Sequence, residues 1–303
     1  MRYARLLIAL LALIALLEVV VQYQHREPVV IARRPVPLPP PKPAKPPPKR
    51  DGTLVAPSPA DPKVLISEEG PPRDVLGTAF PVRRPGLFMT ARHVVDACDR
   101  VGIVTHRGLI LTADSVVLAT GSDLALFEVL YQPRPLALDA VELRYGQSGY
   151  AYGFPRGRWG RVRGMLIGRG RAHRIGREEP PESILMWAII EFGPKDLEAL
   201  SGMSGGPMLD ATGNVIGVNS AASLRRGRLS TVAPVNLNAM LAGDAKAPDA
   251  SLGDGRDVGR VDAKSFFEVG ERLRRGGRIA RVLCDVAAAE GIEKWWKVSR
   301  LRR

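Results

Sequence analysis

Between residues 64 and 238 the chain is a succession of short apolar runs broken by Gly, Asp and Asn. The runs fall at 75–82, 87–90, 101–105, 109–119, 124–130, 149–154, 162–168, 185–192 and 215–220. Runs this short, bounded by turn residues and not alternating with helical patterns, predict strands of a sandwich or barrel. Asp210-Ala-Thr-Gly-Asn214 lies between two apolar stretches and predicts a hairpin turn.

The flanks have other textures. Residues 6–21 are apolar throughout except for Glu18, behind Arg2 and Arg5. This is the pattern of a signal peptide or a membrane anchor. The following Glu18-Val-Val-Val-Gln-Tyr23 offers no small-residue cleavage pattern, which favours a retained anchor. Arginines on both sides leave its orientation nearly tied by charge. From about Pro28 to Pro62 proline dominates, interleaved with Lys42, Lys45 and Lys49. Such a segment builds no core and favours extended polyproline II, spanning on the order of 100 Å. It reads as a stalk. Beyond Leu241 a Gly/Asp/Ala loop leads into an Arg-rich tail, expected to be helical from about Ala263 to Arg303. The expected divisions are therefore 1–24 (anchor or signal), 25–62 (linker), 63–243 (globular domain) and 244–303 (basic tail).

Composition narrows the chemistry. A formal charge of +13 suits an anionic partner or surface, but speaks to encounter rather than fold. Aromatic content of 6% weakens any base-stacking role, so no specific nucleic-acid partner is expected. The four histidines, His25, His93, His106 and His173, show no metal-ligand spacing, and Cys98 and Cys284 form no CxxC pair. Neither a metal nor a cofactor is implied. For the two cysteines a bridge and a pair of buried thiols both remain open. The stretch 156–177 holds eight arginines and no acidic residue, which fits the solvated face of a hairpin better than a polyanion patch.

Gly202-Met203-Ser204-Gly205-Gly206-Pro207 is the sharpest chemical signal. Glycines around a serine permit a tight turn that aims backbone N–H groups at one point beside a hydroxyl. Thr90-Ala-Arg-His93 follows an apolar run, and Ser122-Asp123-Leu-Ala-Leu126 heads another. Taken singly, this histidine and aspartate are ordinary strand-end residues. Their order with the serine, His then Asp then Ser in an all-β domain, is that of one particular triad arrangement.

With Gly77-Thr-Ala-Phe80, Val162-Arg-Gly-Met-Leu-Ile-Gly168 and Val215-Ile-Gly-Val-Asn-Ser220, these motifs make the chain resemble the trypsin-like serine peptidases. Among those it is most similar to the compact bacterial HtrA/Deg kind, over roughly residues 64 to 241. The resemblance implies two six-stranded antiparallel β-barrels with a catalytic cleft between them. It implies Ser204 as nucleophile, His93 as general base, Asp123 as its orienting partner, and the N–H groups of Gly202 and Ser204 as an oxyanion hole. Ser220, Ala221 and Ala222 would line one wall of the substrate pocket, with Val232-Ala233-Pro234 near another. Glu198 stands where an acidic pocket base would sit in trypsin itself. Met203 replaces the Asp that secreted digestive relatives carry before the nucleophile, so their zymogen switch is not implied. The tail resembles no PDZ domain. The expectation is a serine endopeptidase acting on protein or peptide substrates, tethered to a bacterial cytoplasmic membrane with its catalytic domain on the periplasmic side. Its oligomeric state is left open. The competing expectation is a binding protein that retains the triad on a peptidase fold but has lost its oxyanion hole.

Overall fold

The computed structural model describes residues 52–66, 76–83, 85–138, 142–175, 179–243 and 258–286. The apolar segment 6–21, most of the proline-rich stretch and residues 287–303 lie outside these. Among the described residues no helix is long and apolar enough to cross a membrane.

Two sheets share the domain. The first contains β1 (Lys63–Ile66), β8 (Ser148–Gly153), β9 (Gly160–Arg174), β10 (Glu182–Gly193), β11 (Pro207–Leu209), β12 (Val215–Ser223) and β13 (Arg228–Val232). Its order is β9-β10-β13-β12-β11-β8, and β8 pairs back onto β9, so six antiparallel strands close into a barrel. β1 adds in parallel to the far end of β9. Closure is possible because β9 is 15 residues long: its first half pairs with β8 while nearly its whole length pairs with β10. Trp187, Leu166, Met208 and Leu229 fill the interior.

The second sheet runs β5 (Ile110–Thr112), β4 (Arg100–Val104), β14 (Ala280–Asp285), β2 (Leu76–Arg83), β3 (Leu87–Thr90), β7 (Ala125–Glu128) and β6 (Ser115–Leu118). The expectation of two closed six-stranded barrels is corrected here. β5 and β6 form the two edges and do not pair among the described residues, leaving a curled, open half-barrel. One face of β2 and β3 packs with Ile103, Phe127 and Val282. The other, through Phe80, Val82 and Met89, joins a core shared with Tyr150, Tyr152 and Leu209 of the barrel. That shared core welds the two sheets together.

The expected helical tail is also corrected. α1 (Arg92–Val95) and α2 (Pro234–Ala242) precede α3 (Phe266–Arg275), whose buried Phe266, Val269, Gly270 and Leu273 recur at helical spacing. After it, residues 280–285 leave the helix and insert as β14 between β2 and β4, antiparallel to both. Cys284 on this strand forms a disulfide with Cys98, just beyond α1, across a separation of 186 residues. The tail thus supplies an interior strand, because β2 and β4 would otherwise present unpaired backbone to each other. The linker boundary shifts as well. Leu54 is buried, and its N–H donates to the Leu143 carbonyl at 2.7 Å, so the chain joins the barrel before residue 63.

Candidate active site

His93 sits on α1, a single turn directly after β3, where Ala91 is held in extended backbone. Asp123 ends the loop from β6 to β7 and is buried. Its carboxylate receives the His93 backbone N–H at 3.0 Å and contacts His93 Nδ1 through both oxygens, at 2.9 and 3.0 Å. Backbone and ring are held by the same group, which leaves the imidazole little freedom to turn. The Ser220 hydroxyl on β12 donates to Asp123 Oδ2 at 2.7 Å, and Ser204 Oγ lies 3.4 Å from the Ser220 carbonyl. Ser220 thus meets both parts of the site by different groups, its hydroxyl holding Asp123 and its backbone carbonyl accepting from the Ser204 hydroxyl. Ser220 therefore does more than line a pocket wall.

Thr78 of β2 holds the serine loop in place. Its N–H donates to the Ser204 carbonyl at 2.9 Å and its hydroxyl to the Gly202 carbonyl at 2.7 Å. Two further carbonyls of this loop are occupied: Ser201 accepts from the Arg156 N–H and Met203 from the Gly206 N–H. In a planar trans peptide the N–H points opposite to the carbonyl. Fixing the Ser201 and Met203 carbonyls therefore turns the Gly202 and Ser204 N–H groups the other way, and among the described residues neither has a protein acceptor. Such a pair of uncommitted donors can receive a developing oxyanion. Gly202 and Gly205 take φ of +98° and +83°. A Cβ on Gly205 would lie 2.1 Å from Thr90 Oγ1 and 2.2 Å from the Thr78 carbonyl, so the turn admits only glycine there. Met203 packs into the barrel core.

Beside Ser204 a pocket of about 460 Å³ is lined by Ser220, Ala221 and Ala222 on one side and by Leu200, Met203 and Leu229 elsewhere. Glu198 lies at its margin, 82% exposed and paired with Arg156 at 3.0 Å, so it is no buried acid at the pocket base. Val232 and Ala233 are buried in the core and are not among the lining residues, contrary to expectation.

Two charged residues that sequence reasoning missed stand behind Asp123. Arg174 Nη2, at the end of β9, lies 3.1 Å from Asp123 Oδ2, 3.1 Å from Glu182 Oε2 and 3.2 Å from Ser220 Oγ. Glu182, at the start of β10, accepts the Asp123 N–H at 2.9 Å, the Asn236 amide at 3.3 Å and the Ser122 hydroxyl. Burial by itself would push the Asp123 carboxyl up. The charge and hydrogen bond of His93, the charge of Arg174 and the Ser220 hydroxyl outweigh it and hold the carboxyl below its ordinary range. Burial, then the Asp123 charge, push Glu182 up against the pull of its donors. Arg174 belongs to the Arg-rich stretch and looked like one solvated cation among many. Of the others in that stretch, Arg158 pairs with Asp196 at 3.0 Å and Arg163 with Glu191 at 3.4 Å. Among the described residues no cluster of His, Cys, Asp or Glu could hold a metal ion.

Residues 77–218 match the family model described as a trypsin-like peptidase domain. The chain is 31% identical over 205 residues to a probable periplasmic serine endoprotease, DegP-like, of Halomonas elongata, covering 64% of this chain and 41% of that protein. It is 31% identical over 179 residues to protease Do-like 5, chloroplastic, of Arabidopsis thaliana, covering 54% of this chain and 53% of that one. The chain spans about half the length of the curated relatives it matches. Among solved structures, the active form of the Rv3671c protease from M. tuberculosis superposes with a TM-score of 0.47 at 19% identity, covering 67% of this chain and 96% of that one.

Proposed function

From the premise that this chain carries a trypsin-like peptidase domain and is a distant homologue of the DegP/HtrA-type serine endoproteases, we propose that it is itself a serine endopeptidase. The observation that carries the reading is that Ser220 meets both parts of the site, its hydroxyl holding Asp123 of the His93–Asp123 pair and its backbone carbonyl accepting from the Ser204 hydroxyl. Ser204 attacks the scissile carbonyl, and His93 takes its proton and returns it to the leaving amine. Asp123 holds the ring so that the basic nitrogen faces the cleft. The N–H groups of Gly202 and Ser204 receive the oxyanion, which in comparable sites lowers the barrier by about 3 kcal/mol per donor. Those two uncommitted donors favour an enzyme over a binding protein with a collapsed site. Small residues at Ala221 and Ala222, with apolar Leu200, Met203 and Leu229, suit a small or medium apolar side chain.

The domain works outside the cytoplasm, tethered by residues 6–21 through the proline-rich stalk. The Cys98–Cys284 bridge fits an oxidising compartment, and bacterial relatives are named periplasmic. A serine-directed fluorophosphonate probe tests the activity on the full chain: labelling is expected in the wild type and lost in Ser204→Ala at unchanged circular dichroism. A wild-type chain that takes no label, or a folded Ser204→Ala chain that still cleaves peptide, refutes the assignment.

A further inference from the structure

An aspartate orienting a histidine needs only to keep its own rotamer, and Ser220 with the His93 backbone already provides for that. Arg174 and Glu182 add a buried cation and a second buried anion to the same point, an arrangement costly to bury unless both charges are used. Their partners are specific. One nitrogen of Arg174 touches Asp123, Glu182 and Ser220 at 3.1, 3.1 and 3.2 Å. Glu182 returns along the chain to the Asp123 backbone N–H and to Ser122. Side-chain exposures of 8% for Arg174, 3% for Glu182 and 1% for Asp123 leave little water to screen these charges.

Resting on the peptidase reading above, we propose that Arg174 and Glu182 are positioning residues for the Asp123–His93 pair, setting both the direction of the carboxylate and the charge behind the imidazole. The guanidinium pins Oδ2, and Glu182 pins both the guanidinium and the Asp123 backbone. With Glu182 ionised, Asp123, Arg174 and Glu182 together present one net negative charge to His93, the same as a lone aspartate. Among the described residues, a further cation beside His93 is Arg92 on α1, which is paired with Asp96 at 3.1 Å and Glu179 at 2.7 Å. Removing Arg174 alone leaves two negative charges behind the ring and favours imidazolium. Removing Glu182 alone leaves none and disfavours it. The two substitutions therefore act in opposite directions on the protonation of the general base, which a simple loss of structure does not.

The rate of fluorophosphonate labelling of Ser204 against pH, on the full-length chain, reads this directly. The acid limb of Arg174→Gln is expected to move to higher pH by about one pH unit. That of Glu182→Gln should move to lower pH. The double variant should return close to the wild type, and Arg174→Lys, which keeps the cation, should hold the wild-type limb. Limbs of folded Arg174→Gln and Glu182→Gln that stay in place, or move the same way, overturn the proposal. So does an Arg174→Lys limb displaced as far as that of Arg174→Gln. Should Arg174→Gln not fold, Glu182→Gln decides alone: a shift to lower pH supports the assignment, and no shift or the reverse overturns it. A wild-type chain that does not label would instead refute the peptidase reading, so the two failures are distinguishable.

Discussion

Replacing both Cys98 and Cys284 with alanine removes the only covalent tie holding β14 in the interior of its sheet among the described residues. The bridge closes a separation of 186 residues. For a loop of this length the chain-entropy relation gives about 5 kcal/mol of stabilisation at 25 °C, and native bridges measured by removal contribute about 2–5 kcal/mol. The entropic figure is a ceiling, because a denatured chain keeps some compactness when the link is cut. An expected loss of about 3–4 kcal/mol follows. Removing the link need not unfold the strand, since Ala280, Val282 and Leu283 remain buried and both backbone ladders remain available. The assay is urea unfolding followed by far-ultraviolet circular dichroism for the oxidised chain, the reduced chain and the double variant. The reduced chain and the double variant should unfold together, at a lower midpoint than the oxidised chain. Equal midpoints at equal slopes for all three would refute the reasoning, and would mean that β14 is secured by its ladder and packing alone.

Other outcomes follow from the site. Asp123→Asn should lower turnover of a cleaved peptide by about four orders of magnitude while leaving the fold intact, because the amide favours the wrong imidazole tautomer; near-normal turnover would exclude Asp123 from the triad. The Asp123 carboxyl is held below its ordinary range, so its contribution to stability is complete above about pH 4 and is lost as pH falls toward its folded value. A chemical-denaturation series between pH 7 and pH 2 should therefore show a steeper acid decline in the wild type than in Asp123→Asn. Gly205→Ala places a Cβ into Thr90 and the Thr78 carbonyl at positive φ, and should cost about 3 kcal/mol and abolish labelling of Ser204. Full labelling at wild-type stability would show that the loop relaxes more freely than its contacts suggest.

Much of the architecture follows from local pattern. The apolar runs at 75–82, 87–90 and 124–130 lie over β2, β3 and β7, since burial on both faces gives continuous apolar stretches. The turn at Asp210 is legible because one carboxylate oxygen accepts the Thr212 and Asn214 N–H groups within five residues. The glycine-flanked serine is legible for the same reason: backbone that must turn at positive φ selects glycine wherever it occurs. What was missed depends on partners remote in sequence. Nothing in Ala-Arg-Val-Leu-Cys-Asp at 280–285 distinguishes a strand from the end of a basic helix. It is a strand because β2 and β4, some 180 to 200 residues earlier, leave a gap with two open edges. Whether Cys98 and Cys284 bridge or remain two buried thiols is decided only once that strand is in place. Arg174 and Glu182 carry no local signature either, since each lies in an ordinary hairpin arm and acquires meaning only where that hairpin meets Asp123. Periodicity and turn chemistry act over a few residues and are written in the sequence. Edge pairing, cross-linking and the charge behind the histidine are settled only when distant segments compete for the same space.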